Sequence, residues 1–343
     1  MTLRIDCHRH FGGSISPDFV WSAIQRTAAS HLAESLADVQ AAMTFAPGEP
    51  YGFHRFLDKF RILDEIHWSE GLLDDSIKQV STDLIAADVD YCWLRFSINK
   101  YLHYINWSRP EAVRFIHDSF QKYAAGRIGL ILSLKYESQR ANQRQLARII
   151  DHPWVQDMVV GIDLVGDEAY FDAEFYGPLL KPWHDAGKVV MAHVGESQPL
   201  ANVLRSVSDM YVTDICHGLA VAPQPLAELT DQQRGYYSDL LARLYSRQVC
   251  FHMAITSTYR TGVWQRQDYY PIVDIIRSGN RATIGTDDPI QCGAPGQPLT
   301  LECEYDKLAG FGLTSAEIND IRRTAERRTA RWRPVRPAQL RHS

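Results

Sequence analysis

The chain has 343 residues, 45% hydrophobic and 22% charged, with a formal net charge of -5 at pH 7. A mildly acidic chain with mixed charges carries no footprint for a phosphate backbone, so nucleic acid is not an expected partner. No apolar run has membrane-spanning length and nothing near Met1 reads as a signal peptide, which excludes a membrane partner and makes the cytoplasm the expected location.

Leu3 to Asp6 reads as a first strand leading into Asp6-Cys7-His8-Arg9-His10. On a strand, residues two apart share a face, so His8 and His10 can aim two imidazoles at one point. Gly12-Gly13-Ser14 breaks the strand, and Ser16-Pro17 opens a helix with a cap and a first-turn proline. From about residue 14 to 88 the pattern is mainly helical. Within it Phe53, Phe56, Leu57 and Phe60 fall on one helical face, as a core stripe or as the roof of a pocket.

A regular alternation follows. Val89–Ser97, Ile128–Leu134, Met158–Leu164, Lys188–His193, Tyr211–Cys216, Gln248–Met253 and Arg281–Thr286 read as short apolar strands. Helical patterns lie between most of them, over Arg109–Ala125, Ser138–Ile150, Phe175–Ala186, Pro199–Ser206, Gln224–Ser246 and Tyr270–Ser278. With the first strand this makes eight β/α units, which predicts an α/β fold of the closed (β/α)8 TIM-barrel type with a helical insertion after the first strand. The rival, an open doubly wound sheet, lacks its glycine-rich phosphate loop. One barrel is expected over 1–328 and a basic tail over 329–343. The six cysteines (Cys7, Cys92, Cys216, Cys250, Cys292 and Cys303) include no Cys-x-x-Cys and read mostly as buried thiols.

A barrel of this kind places its active site at the C-terminal ends of the strands. The first strand ends in His8 and His10, the fifth in Ala192-His193-Val194-Gly195-Glu196, the sixth in Cys216-His217-Gly218, and the eighth in Thr286-Asp287-Asp288-Pro289. Any one of these alone is more often a buried histidine with a hydrogen-bond partner, or a cap. Their coincidence at four strand ends points to one shared site. Imidazoles and a carboxylate from His8, His10, His193 and Asp287 suit zinc or iron with room for water. Such a metal would make its water nucleophilic near neutral pH, and His217 would take the proton or steer the attack. Glu196, three residues past a ligand, is free to donate a proton to the substrate if its pKa is raised. Asp288, next to a ligand, points the other way on an extended backbone and can accept a hydrogen bond from the substrate.

These motifs resemble the adenosine deaminase branch of the metal-dependent amidohydrolases. His8 and His10 match the family's His-x-His, and His193-Val194-Gly195-Glu196 its His-Ala-Gly-Glu. Cys216-His217-Gly218 matches its Gly-His-Gly, and Gly285-Thr286-Asp287-Asp288-Pro289 its Asn-Thr-Asp-Asp-Pro. Gly161 to Glu168 is similar to its Asp-Leu-Ala-Gly-Asp-Glu segment, Phe56-Leu57-Asp58-Lys59-Phe60 to its lid helix, and Ser257 to Gly262 to its loop after the seventh strand. The resemblance implies one zinc ion on His8, His10, His193 and Asp287, with Glu196 protonating a purine ring nitrogen and His217 handling the nucleophile. Asp288 would bind the imidazole side of a purine and the backbone of Gly166 its pyrimidine side, under a lid carrying Phe56 and Phe60. The implied reaction is hydrolytic deamination of an adenosine-like 6-aminopurine. The chain departs from the family in three places. Gly12 stands where an aspartate contacts ribose, Trp93-Leu94-Arg95 replaces Glu-x-Arg, and Ala254-Ile255 replaces Cys-Pro. Either another residue between Ser14 and Asp88 supplies the sugar contact, or Gly12 leaves free adenine, a modified nucleoside or another aminated heterocycle open as substrate; an amide-cleaving or ring-opening amidohydrolase and a non-catalytic binding barrel are the remaining alternatives.

Overall fold

A computed structural model of the chain describes residues 2–27 and 29–334. Eight strands form one sheet in chain order: β1 (Ile5–His10), β2 (Tyr91–Phe96), β3 (Ile128–Lys135), β4 (Val159–Val165), β5 (Val189–Val194), β6 (Asp214–His217), β7 (Cys250–Met253) and β8 (Arg281–Ile284). Every neighbouring pair is parallel. Strands such as Ile-Gly-Leu-Ile-Leu-Ser-Leu in β3 are buried along nearly their whole length, as a sheet covered by helices requires.

The sheet closes between its first and last strands just past β8. The Asp287 amide donates to the His8 carbonyl at 2.6 Å, and the His10 amide donates to the Asp287 carbonyl at 2.8 Å. Asp6 clasps the same seam from below: its carboxylate accepts the Thr286 hydroxyl at 2.6 Å and the amides of His8 at 3.1 Å and Thr286 at 3.3 Å. Gly285 permits this approach, because a Cβ there would lie 2.4 Å from the His8 Cβ.

At the opposite end of the barrel, Asp214 accepts hydrogen bonds from His252 Nε2 at 2.8 Å and Arg328 Nε at 2.8 Å, and the Thr283 hydroxyl meets His252 Nδ1 at 2.8 Å. Arg328 comes from the last described helix, Ser315–Thr329. Burial alone would raise the Asp214 carboxyl, but Arg328 and His252 outweigh it and hold it below the usual range. This buried ionic cluster ties the last described helix to β6 and β7.

Two features differ from the sequence reading. β1 runs on to His10 instead of ending at Asp6, so both histidines belong to the strand. The stripe Phe53 to Phe60 is not one helix: Phe53–Asp58 ends before Phe60, and a second helix, Arg61–Glu65, follows. Lys59 turns inward at this break, its ammonium 2.9 Å from Glu49 and 3.3 Å from the Ala41 carbonyl. Phe56 is buried, whereas Leu57 is 40% exposed. Phe56 packs against Phe45 and Cys292, and with Phe53 and Phe60 it also lines a cavity. Among the described residues no helix is long and apolar enough to cross a membrane. Residues 335–343 of the expected basic tail lie outside the described residues.

Candidate active site

His8 and His10 from β1, His193 from β5 and Asp287 after β8 each place a ligand atom within 4.8 Å of the others. His8 Nε2 lies 3.2 Å from His193 Nε2 and 3.3 Å from Asp287 Oδ1, and His10 Nε2 lies 3.1 Å from the same oxygen. The outer nitrogens fix the tautomers. His8 Nδ1 is 3.3 Å from the His252 carbonyl, and His193 Nδ1 is 3.0 Å from the Leu164 carbonyl and 3.2 Å from Asp163 Oδ1. A carbonyl only accepts, so both Nδ1 atoms carry hydrogen and both Nε2 atoms face the cluster. Two imidazole nitrogens and a carboxylate oxygen brought this close need a cation among them, either a proton or a metal ion. The donor set thus fits a divalent metal.

Electrostatics agree with that fit. Burial, with Arg95 nearby, pushes His8 well below the usual histidine range, and burial also lowers His10. Burial opposes a charge on Asp287, but His8 and His10 outweigh it and keep the carboxylate ionised. His193 is pushed up because Asp163 overrides the effect of burial, so a metal would displace a proton there. Behind the ligands, Arg95 Nε donates to Asp163 Oδ2 at 2.6 Å and its Nη1 to the Cys7 carbonyl at 2.9 Å. One buried guanidinium therefore holds β1 in place and, through Asp163, orients His193. The sequence reading gave Arg95 and Asp163 no role, although both lie in stretches it quoted.

Glu196, His217 and Asp288 adjoin this cluster. His217 Nε2 is 3.8 Å from both Glu196 Oε2 and Asp287 Oδ2. Burial pushes His217 down to about 3, making it a neutral base at physiological pH. Burial, reinforced by Asp287 and only partly offset by His193, pushes Glu196 up to about 8, so it holds its proton at neutrality. Burial and the adjoining Asp287 carboxylate raise Asp288 well above the usual range. The backbone here is not extended. Asp287 has φ 58° and His217 φ 64°, left-handed values that are costly for such residues and that cluster at functional sites. The turn at Asp287 brings Asp287 and Asp288 into one cavity instead of pointing them apart.

That cavity measures about 640 Å³ and is lined by His10, His193, Glu196, His217, Asp287 and Asp288 together with Gly12, Phe56, Phe60 and Gly166. His8 lies behind the lining, fully buried. The far end is polar, with Asn99, Lys100, Lys135, Glu137, Ser138 and Asn142. Sequence reasoning missed these residues, though they follow β2 and β3 at the positions it had searched on four other strands. Gly13 sits tightly against Asp288: a Cβ at residue 13 would lie 2.0 Å from Asp288 Oδ1 and 2.5 Å from its Cα. Gly13→Ala is expected to displace Asp288 and weaken substrate binding about tenfold with metal content unchanged, read by KM and metal analysis. Unaltered KM would show that Asp288 does not meet the substrate.

A family model described as Adenosine deaminase matches residues 4–334. The adenosine deaminase of Shewanella denitrificans is 25% identical over 331 residues, covering 93% of this chain and 91% of that protein. The adenosine deaminase of Proteus mirabilis is 24% identical over 325 residues, covering 91% of this chain and 89% of that protein. Among solved structures, an amidohydrolase from Burkholderia ambifaria with bound zinc has a TM-score of 0.75 at 20% identity, covering 96% of this chain and 88% of that one. An adenine deaminase from Arthrobacter aurescens has a TM-score of 0.70 at 15% identity, covering 96% of this chain and 100% of that one. These two likenesses bear on the fold, an eight-stranded parallel barrel with helical insertions. With a metal-competent cluster at the strand ends and a family match spanning nearly every residue, the chain belongs to the adenosine deaminase family of the metal-dependent amidohydrolases.

Proposed function

We propose that this protein is a zinc-dependent hydrolytic deaminase that converts a 6-aminopurine nucleoside, adenosine or a close relative, to its 6-oxo product and ammonia. The observation that carries the reading is the buried carboxyl Glu196, its pKa raised to about 8, beside the cluster His8, His10, His193 and Asp287 in a cavity of about 640 Å³. The curated relatives named adenosine deaminases, matched over nine-tenths of this chain, support the aminopurine class.

Zinc bound by these four residues supplies a water that is nucleophilic near neutral pH. His217, neutral and adjacent, would accept a proton from the attacking water and pass it to the departing amine. Glu196 gives its proton to the ring nitrogen beside the carbon under attack, which draws electrons out of the ring and opens that carbon to addition. The imidazole edge of a purine presents an acceptor nitrogen, so the residue meeting it must donate, a role that needs Asp288 protonated. The main chain at Gly166 meets the pyrimidine edge. Phe56 and Phe60 cover the ring face and exclude water.

A second reading, in which the substrate is free adenine, a modified nucleoside or another aminated heterocycle, is favoured by Gly12. Only Phe60 Cδ1, at 3.9 Å, lies near where a side chain at residue 12 would begin. The test is ammonia release by zinc-loaded protein from adenosine, 2′-deoxyadenosine, adenine, adenosine monophosphate and a few pterins. Turnover of the nucleosides supports the first reading, and activity confined to the other compounds selects the second. Silence on every aminated heterocycle removes the deaminase proposal. The open space also means that Gly12→Asp should fold normally. It is expected to change the ratio of adenosine to adenine turnover by about tenfold, the scale of one added polar contact. An unchanged ratio would remove Gly12 from the substrate's surroundings.

A further inference from the structure

We infer that Glu168 is a positioning residue for Glu196, an inference that rests on the acid role proposed above. Glu168 begins the short turn Glu168–Tyr170 after β4, and its side chain is buried at 3% exposure against the loop that follows β5. Oε1 accepts the Gly195 amide at 2.7 Å and Asn202 Nδ2 at 3.2 Å. Oε2 accepts the amides of Glu196 at 3.2 Å, Ser197 at 3.3 Å and Gln198 at 3.2 Å. Four successive main-chain N–H groups therefore converge on one carboxylate from another loop, and one of them belongs to the acid itself.

Consecutive N–H groups turned inward form a concave nest that suits an anion. Here the chain supplies that anion. Gly195 makes the turn possible: it has φ +65°, and a Cβ there would lie 2.5 Å from Val203 Cγ2. The neighbouring Asp167 caps only its own turn, through the Ala169 amide at 2.9 Å. Glu168 is absent from the cavity lining, so it acts on the substrate through Glu196 and not by contact. The general acid sits on a loop rather than on β5, and proton transfer needs it within hydrogen-bond reach of one ring nitrogen. A charged acceptor binding the amides of that loop fixes its path before substrate arrives.

The test compares zinc-loaded wild-type protein with Glu168→Gln, which keeps the side-chain shape but turns one acceptor into a donor facing N–H groups. The expected result is a kcat lowered about 100-fold, the cost of misplacing a reacting group by about 1 Å, with KM and zinc content unchanged. Amide hydrogen exchange should rise at 195–198 and not in β5. Adding Glu168→Gln to Glu196→Gln should lower the residual rate no further, since the two act as one unit. A merely structural anchor predicts additive losses and falling zinc content, and that result would overturn the inference. If Glu168→Gln does not fold, Glu168→Asp, which keeps the charge but withdraws the carboxylate, carries the same comparison. Unchanged exchange at 195–198 overturns the inference whether or not the protein is a deaminase. Absence of ammonia release from wild-type protein removes the acid role itself and leaves the exchange data to report only on the loop.

Discussion

Glu196→Gln is expected to retain a full complement of zinc and to lose turnover by on the order of 10³-fold or more, the upper part of the range for a general acid. Glutamine fills the same volume and donates a hydrogen bond, yet it has no proton to transfer. Glu196 is not among the residues whose ligand atoms gather around the metal position, so its charge is not needed there. Turnover within tenfold of wild type would remove Glu196 as the acid. The pH dependence follows from the same group. Its pKa in the metal-free protein is raised from 4.5 to about 8, chiefly by burial, and a bound cation would lower it, so kcat/KM should decline on the alkaline side, at or below about pH 8. Stability has a related sign. The folded protein binds this proton more tightly than the unfolded chain, so stability falls as pH rises from 4.5 through about 8. Zinc-free Glu196→Gln should therefore melt higher than the zinc-free parent at pH 8, as calorimetry would show.

Asp287→Ala is expected to lose zinc and activity together. Changing a mere outer-shell partner of a metal ligand costs about 10–100-fold in affinity, and removal of a direct ligand should exceed that. The loss is compounded because Asp287 is the one carboxylate facing three imidazoles, and its Oδ1 lies 3.3 Å from His8 Nε2 and 3.1 Å from His10 Nε2. The barrel seam should survive, since it uses the Asp287 main chain and the Asp6–Thr286 clasp rather than the Asp287 side chain. Metal analysis after dialysis, with circular dichroism as the check on folding, reads the outcome. Undiminished zinc in a folded variant would show that the fourth ligand lies elsewhere.

The residues that come together here were legible because a barrel turns position along a strand into position around a mouth. His8, His193, His217 and Asp287 are far apart in sequence, but each ends a short apolar run, and that shared placement was readable without coordinates. Arg95 was harder. Its neighbours Trp93 and Leu94 make it look like an ordinary strand residue, and only the inter-strand register shows its guanidinium reaching Asp163 and the Cys7 carbonyl. The Phe53 to Phe60 stripe has helical spacing throughout, so periodicity alone could not reveal the break before Phe60. That break depends on Lys59 turning toward Glu49, a contact between loops. The left-handed backbone at Asp287 was likewise hidden, because nothing in an aspartate's identity marks it for that conformation.

The seam between β1 and the end of β8 has a consequence for synthesis. Asp6 and Thr286 are 280 residues apart and His8 bonds to Asp287, so during synthesis the first strand must wait for a segment made some 280 residues later before its last partner exists. A nascent chain ending before Thr286 holds all three imidazoles but lacks the carboxylate that gathers them, and the open edge of β1 is left without its last neighbour. Such a chain exposes a strand edge to chance pairing and cannot complete the metal cluster. Truncation products and stalled chains of this protein should accordingly be cleared by proteases or aggregate, while the finished chain closes its sheet and gains its fourth ligand in the same step.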